Sequence, residues 1–148
     1  MSFDVDRIVG EGSEVKLASY LKPYFTVTPY LDGKQKEADL VVNNLLVEVK
    51  RDLRGDTTGN FGIEFICRGK KSGISTTKSD VWVIATATHF YCFKTENLKT
   101  FLRSNWKYLK KVQGGDDNLS HMVLVKQSDL KPLCYCVIQG GCGARNFC

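Results

Sequence analysis

Two runs of apolar and β-branched residues, 38–42 and 45–51, flank the pair Asn43-Asn44. Nothing else in the sequence constrains the fold as tightly. Asparagine tolerates positive φ, so this pair can close a two-residue β-hairpin, and the register then follows by counting. Val42 pairs with Leu45 and Leu40 with Val47, which puts Asp39 directly opposite Glu48. Side chains alternate along a strand, so Leu40, Val42, Leu45, Val47 and Val49 form a core-facing row. Asp39, Glu48 and Lys50 share the other face, the two carboxylates about 5 Å apart at Cβ. Like charges facing each other across a strand pair are destabilising by up to roughly 1 kcal/mol. A divalent cation reverses the sign of that term.

Around the hairpin the pattern predicts a helix over 13–20 stopped by Pro23 and a strand over 24–30 closed by a turn at Asp32-Gly33-Lys34. It then predicts a loop over 53–60, strands at 61–66, 81–86 and 90–94, a short helix at 75–79, a helix over 96–111, a loop at 114–118 and a strand over 122–126. One helix, a meander of strands and a second helix indicate a mixed α/β (α+β, mixed-sheet) domain. At 148 residues the chain can bury roughly 70% of its unfolded surface, enough for one core. An apolar fraction of 43% excludes a disordered chain, and no apolar run reaches the roughly 20 residues of a membrane span. The N-terminus lacks the basic-then-apolar pattern of a signal peptide, so the six cysteines are expected as reduced thiols in a cytoplasm. A net charge of +5 permits a polyanionic partner without demanding one.

Two carboxylates, a backbone carbonyl and waters suit Mg²⁺, with Mn²⁺ as a substitute. A lysine beside such an ion can orient a water and stabilise a pentacovalent phosphate. The pattern Asp39, eight residues, Glu48-Val49-Lys50 resembles the bipartite signature of the PD-(D/E)XK nuclease superfamily, with Ala38 in place of the motif's proline. The preceding helix and strand are similar to that family's core order of helix, three-strand meander, helix and strand. Residues 58–65, the run 68–82 containing Ser72-Gly73-Ile74-Ser75-Thr76-Thr77, and the Gly114-Gly115-Asp116-Asp117-Asn118 loop look like small phage-encoded and Holliday-junction-resolvase-like nucleases. The likeness covers about residues 10–130. It implies a metal-dependent deoxyribonuclease with a restriction-endonuclease-like core, in which Asp39, Glu48 and the Val49 carbonyl hold the metal and Lys50 serves the attacking water. Glu14 is implied as the helical acid of the first motif, with Glu11 competing for that role, and Glu64 as a further acid at the site.

The glycine-punctuated segment carrying Arg68, Lys70, Lys71, Ser72, Ser75, Thr76, Thr77 and Lys78 suits phosphate contacts, as do Arg51 and Arg54 beside the active-site strand. The stripe Lys99, Arg103, Lys107 and Lys110 reads as a solvated helix face. A nuclease domain over 1–133 and a Cys/Gly-rich extension over 134–148 follow. The Cys134-x-Cys136 spacing is too tight for a standard zinc pair, and neither His89 nor His121 has a partner at ligand spacing. The expected partner is DNA, with phage DNA processing or host DNA degradation in the host cytoplasm as the expected role. The alternatives are a dimeric Holliday junction resolvase, a non-catalytic nucleic-acid-binding module and a structural protein whose hairpin face is simply solvated.

Overall fold

The computed structural model describes residues 2–31, 37–114 and 119–148, with side chains from residue 12 onward. The expected turn at 32–34, residues 115–118 of the expected loop and the Glu11 side chain lie outside them. The fold is mixed α/β, with two sheets. The first has strand order β1 (Val27–Pro29), β2 (Leu40–Val42), β3 (Leu45–Arg51), β6 (Val81–Ala85), β7 (Phe90–Lys94), β10 (Cys136–Ile138). The second has order β5 (Lys70–Lys71), β4 (Asn60–Cys67), β9 (Ser120–Lys126), β8 (Lys110–Gly114). The helices are α1 (Ser2–Leu21), the single turns α2 (Gly55–Thr58) and α4 (Gln127–Leu130), and α3 (Thr95–Asn105).

The hairpin register is the one the sequence dictates, Val42↔Leu45 and Leu40↔Val47. Asn43 takes the left-handed conformation at φ 53°, and its side-chain carbonyl accepts the Thr26 N–H at 3.1 Å, tying the turn to the chain entering β1. β3 then runs parallel to β6, with Glu48 beside Trp82 and Lys50 beside Ile84. Strands buried on both faces read as continuous apolar runs, and β6, Val81-Trp82-Val83-Ile84-Ala85, is buried throughout.

That alternation divides the core in two. On one face Val47, Val49, Val81, Val83 and Cys92 pack under α1 through Leu17, Ala18 and Leu21. On the other, Trp82, Ile84, Tyr91 and Phe93 meet Phe61, Ile63, Val123 and Val125 of the second sheet and Leu98 and Leu102 of α3. Each fully buried side chain of this size contributes roughly 1.5–3 kcal/mol. The short helix expected at 75–79 is replaced by a 3₁₀ turn at Gly73–Ser75, and the β3-to-β6 crossover also carries α2 and the β4–β5 hairpin. Asp52 fixes its start, accepting the N–H groups of Gly55 at 3.0 Å and Gly62 at 2.9 Å.

Three further expectations are corrected. α1 begins at Ser2 rather than near residue 13. The helix predicted over 96–111 ends at Asn105, because residues 110–114 pair with β9 as a strand. Residues 134–148 are no extension: β10 is the edge strand beside β7, and Phe147 is fully buried in the core under α1. No helix among the described residues is long and apolar enough to cross a membrane.

Candidate active site

Glu48 and Lys50 follow the alternation of β3 onto the face opposite α1. Lys50 Nζ lies 3.1 Å from Glu48 Oε1 and 5.6 Å from the centroid of the Trp82 ring. They line a cleft of about 390 Å³ together with Glu37, Gly73, Thr76, Thr77 and Lys78. Lys78 Nζ sits 3.6 Å from Glu37 Oε1, and the Tyr30 hydroxyl donates to Glu37 Oε2 at 3.1 Å. Glu37 was missed by the sequence reading. The available signal was its position two residues before Asp39, which in an extended segment gives the two side chains the same sense.

Asp39 is not a plain cross-strand partner of Glu48. The β2–β3 ladder ends at Leu40↔Val47, and Asp39 occupies a bend whose N–H donates to Val47 O at 2.9 Å. Its buried carboxylate reaches alongside β3, where Oδ2 accepts the Val49 N–H at 2.7 Å. The side chain thus supplies the acceptor that a continued β2 backbone would have supplied. In an extended strand the N–H and C=O of one residue project to the same side, so the Val49 carbonyl also faces the Asp39 side.

Among the described residues no three His, Cys, Asp or Glu side chains converge as a cluster that could hold an ion. Mg²⁺ is commonly bound by one or two carboxylates with waters completing the octahedron. Asp39, Glu48 and the Val49 carbonyl are hard oxygen donors on neighbouring stretches of backbone, and Asp39 Oδ2 is held by the Val49 N–H. Oxygen donors of this kind are the chemistry a hard divalent cation prefers.

The other expected site residues are dispersed. Glu14 lies on the stripe of α1 that includes Leu17, Ala18 and Leu21, and that stripe packs on the Val47/Val49 face. The sheet therefore separates Glu14 from Glu48 and Lys50. Arg51, by the same alternation, lies on the α1 side and lines a different cleft of about 640 Å³ with Ser13, Lys16 and His89. Arg54 precedes α2, and its carbonyl accepts the Thr57 and Thr58 hydroxyls at 3.1 and 3.0 Å. Glu64 accepts the Ser72 hydroxyl at 3.1 Å and the Ser120 hydroxyl at 2.7 Å, one on each oxygen, which makes it a link between β9 and the 72–75 turn.

Of the expected phosphate-contacting residues, Thr76, Thr77 and Lys78 border the Lys50 cleft. Arg68, Lys70 and Lys71 are exposed on the β4–β5 hairpin, where Arg68 at φ 53° and Gly69 at φ 77° make the reversal. Ser72 and Ser75 direct their hydroxyls into the protein, Ser75 to Phe65 O at 2.9 Å.

The cysteines form a separate neighbourhood. Cys136 faces Cys92 across β10 and β7, and a hydrogen bond between the two thiols raises the pKa of Cys92 and lowers that of Cys136. Burial, aided by Cys136, pushes the Cys134 thiol up to about 12, and burial likewise raises the Tyr135 phenol. Compared with family models, with curated proteins and with solved structures, the chain matches none.

Proposed function

We propose that the chain is a metal-dependent deoxyribonuclease of the PD-(D/E)XK type, acting in the cytoplasm of its cell or, if phage-encoded, of the host. The observation that carries the reading is the placement of Glu48 and Lys50 on one face of β3, 3.1 Å apart in a cleft walled by Thr76, Thr77 and Lys78, with Asp39 hydrogen-bonded to the intervening Val49. The antiparallel β1–β2–β3 meander followed by a strand parallel to β3, with α1 on one face, supports it further.

Asp39, Glu48 and the Val49 carbonyl would hold Mg²⁺ or Mn²⁺, which when bound supplies an acidified water and neutralises charge on a phosphodiester. Lys50 Nζ donates to the incoming water and to the phosphate oxygen on which charge develops. Lys78 and the Thr76 hydroxyl take the flanking phosphates, fixing the scissile bond over Lys50, while the Thr77 hydroxyl is held by Ser79. The water attacks phosphorus in line with the departing 3′-oxygen, losing its proton to solvent as the P–O3′ bond breaks, and leaves a 5′-phosphate and a 3′-hydroxyl that takes a proton from solvent. Glu37, ion-paired with Lys78, keeps that lysine at the cleft wall until a phosphate displaces it.

The test is a cleavage panel on supercoiled plasmid, linear duplex, single strand and a four-way junction with Mg²⁺, Mn²⁺ or EDTA. Cutting that requires the metal and is lost in Lys50→Ala, with circular dichroism unchanged, is the expected result. Binding that falls with salt and persists in EDTA, with no cutting under either metal, would replace the enzyme with a binding module.

A further inference from the structure

We propose that a second cleft, bounded by β4, the Gly73–Ser75 turn and α3, is a pocket for an unpaired DNA base, so that the substrate of the Lys50 site is DNA carrying a single-stranded segment. The pocket stands on its own geometry. Its link to cleavage rests on the deoxyribonuclease reading.

The cleft encloses about 410 Å³, within the range that accepts a small organic group. Phe65 and Trp106 form its aromatic walls, their rings edge-to-face with centroids 4.8 Å apart at 86°. Ile74 and Leu102, both buried, make its floor. Cations edge it: Lys99 and Arg103 line the opening, and Lys111 Nζ lies 4.8 Å from the Trp106 ring centroid while donating to the Trp106 carbonyl. Trp106 reaches this position because α3 stops at Asn105 and the chain turns through a 3₁₀ segment into β8. Glu64, on β4, has its carboxylate oxygens engaged by Ser72 and Ser120.

The pocket and the Lys50 cleft share a wall. Gly73, Thr76, Thr77 and Lys78 line one, and Ile74 and Ser75 line the other. Lys99 reaches back across the wall, its Nζ donating to Thr77 O at 3.3 Å. Gly73 holds the wall against β4: at φ 54° a Cβ there would stand 2.2 Å from Glu64 O. An apolar aromatic slot has nothing to bind on an intact duplex, whose bases are stacked inward and whose surface is phosphate. An unstacked base offers a π-face to the rings while its flanking phosphates meet the cations, and this pairing is the recurrent solution for single strands.

The measurement is anisotropy in EDTA at fixed salt, with a labelled oligothymidylate of about 12 nucleotides, an oligouridylate of the same length, an abasic strand with the same number of phosphates, and a blunt duplex. The expected result is oligothymidylate binding about tenfold or more tighter than the abasic strand. Trp106→Ala removes most of that difference without weakening abasic-strand binding, and Trp106→Phe retains it. Trp106 packs on Phe65, so if the alanine variant fails to fold, the wild-type comparison of the two strands decides alone. Equal affinity for both overturns the pocket, and tighter binding of oligouridylate overturns DNA as the ligand. Loss of cleavage in Lys50→Ala alongside equal binding would remove the pocket and leave the nuclease. Base-dependent binding without cleavage under either metal would leave the pocket and remove the nuclease.

Discussion

Asp39 is asked to do two things, and substitution can separate them. Its Oδ2 accepts the Val49 N–H at 2.7 Å in a buried setting, and its charge is proposed to bind the metal. Asp39→Ala strands a buried backbone donor and removes a charge-assisted bond, a loss of about 2 kcal/mol. For a chain of this size that corresponds to a fall in Tm of roughly 4–8 °C. Asp39→Asn keeps a side-chain oxygen of the same reach, so its cost stays under about 1 kcal/mol and its Tm within roughly 4 °C of wild type. The neutral amide is a far poorer ligand for a hard cation, so cleavage is abolished in both variants. Differential scanning calorimetry and plasmid cleavage with Mg²⁺ read the two effects independently. Equal destabilisation by alanine and asparagine would refute the hydrogen-bond account. Full cleavage by the asparagine variant would refute the metal-ligand role, whatever its stability.

Two further outcomes concern the C-terminal region. Phe147 is fully buried beneath α1, so Phe147→Ala costs about 3–5 kcal/mol and lowers Tm by roughly 6–20 °C; a shift of less than about 2 °C would mean the tail is dispensable. The second concerns alkaline stability. Burial raises Cys134 from an ordinary 9.0 to about 12, so the fold favours the neutral thiol. A group whose folded pKa is raised contributes stability that is fully present below its unfolded pKa and is lost as pH climbs through the folded value. The urea midpoint is therefore level below about pH 9 and falls toward pH 12, with a shallower fall in Cys134→Ala. A midpoint that is flat across that range in wild type would contradict the burial argument.

The hairpin was legible because its determinants are local. A two-residue connection fixes the register, and the period of two fixes the faces, so the α1-facing row and the pairing Leu40↔Val47 could be counted from Asn43-Asn44. The same counting placed Glu48 and Lys50 together. It failed one residue further out. Nothing local reveals that β2 stops at Leu40 and that the Asp39 side chain replaces backbone along β3. For Glu14 the local pattern is silent in a related way: a helical stripe shows which residues point inward, but not which face of a sheet the helix covers.

Residues 106–114 show how far local propensity can mislead. Leu98, Phe101, Leu102 and Leu109 sit close to helical spacing, yet β9 offers residues 110–114 a partner, and the helix gives way to a strand. The cationic stripe predicted as one solvated helix face is divided by that change, with Lys99 and Arg103 on α3 and Lys110 on β8. By itself the sequence determined a mixed α/β chain, the hairpin register and the acid–lysine face of β3, because each follows from neighbours within a few residues. The tertiary structure alone decided the second sheet, whose β4–β9 pairing joins residues some sixty positions apart, and with it the walls of both clefts. It also decided the inclusion of residues 134–148 in the core. Such pairings depend on which faces remain uncovered after the local elements form, and no short stretch of sequence contains that information.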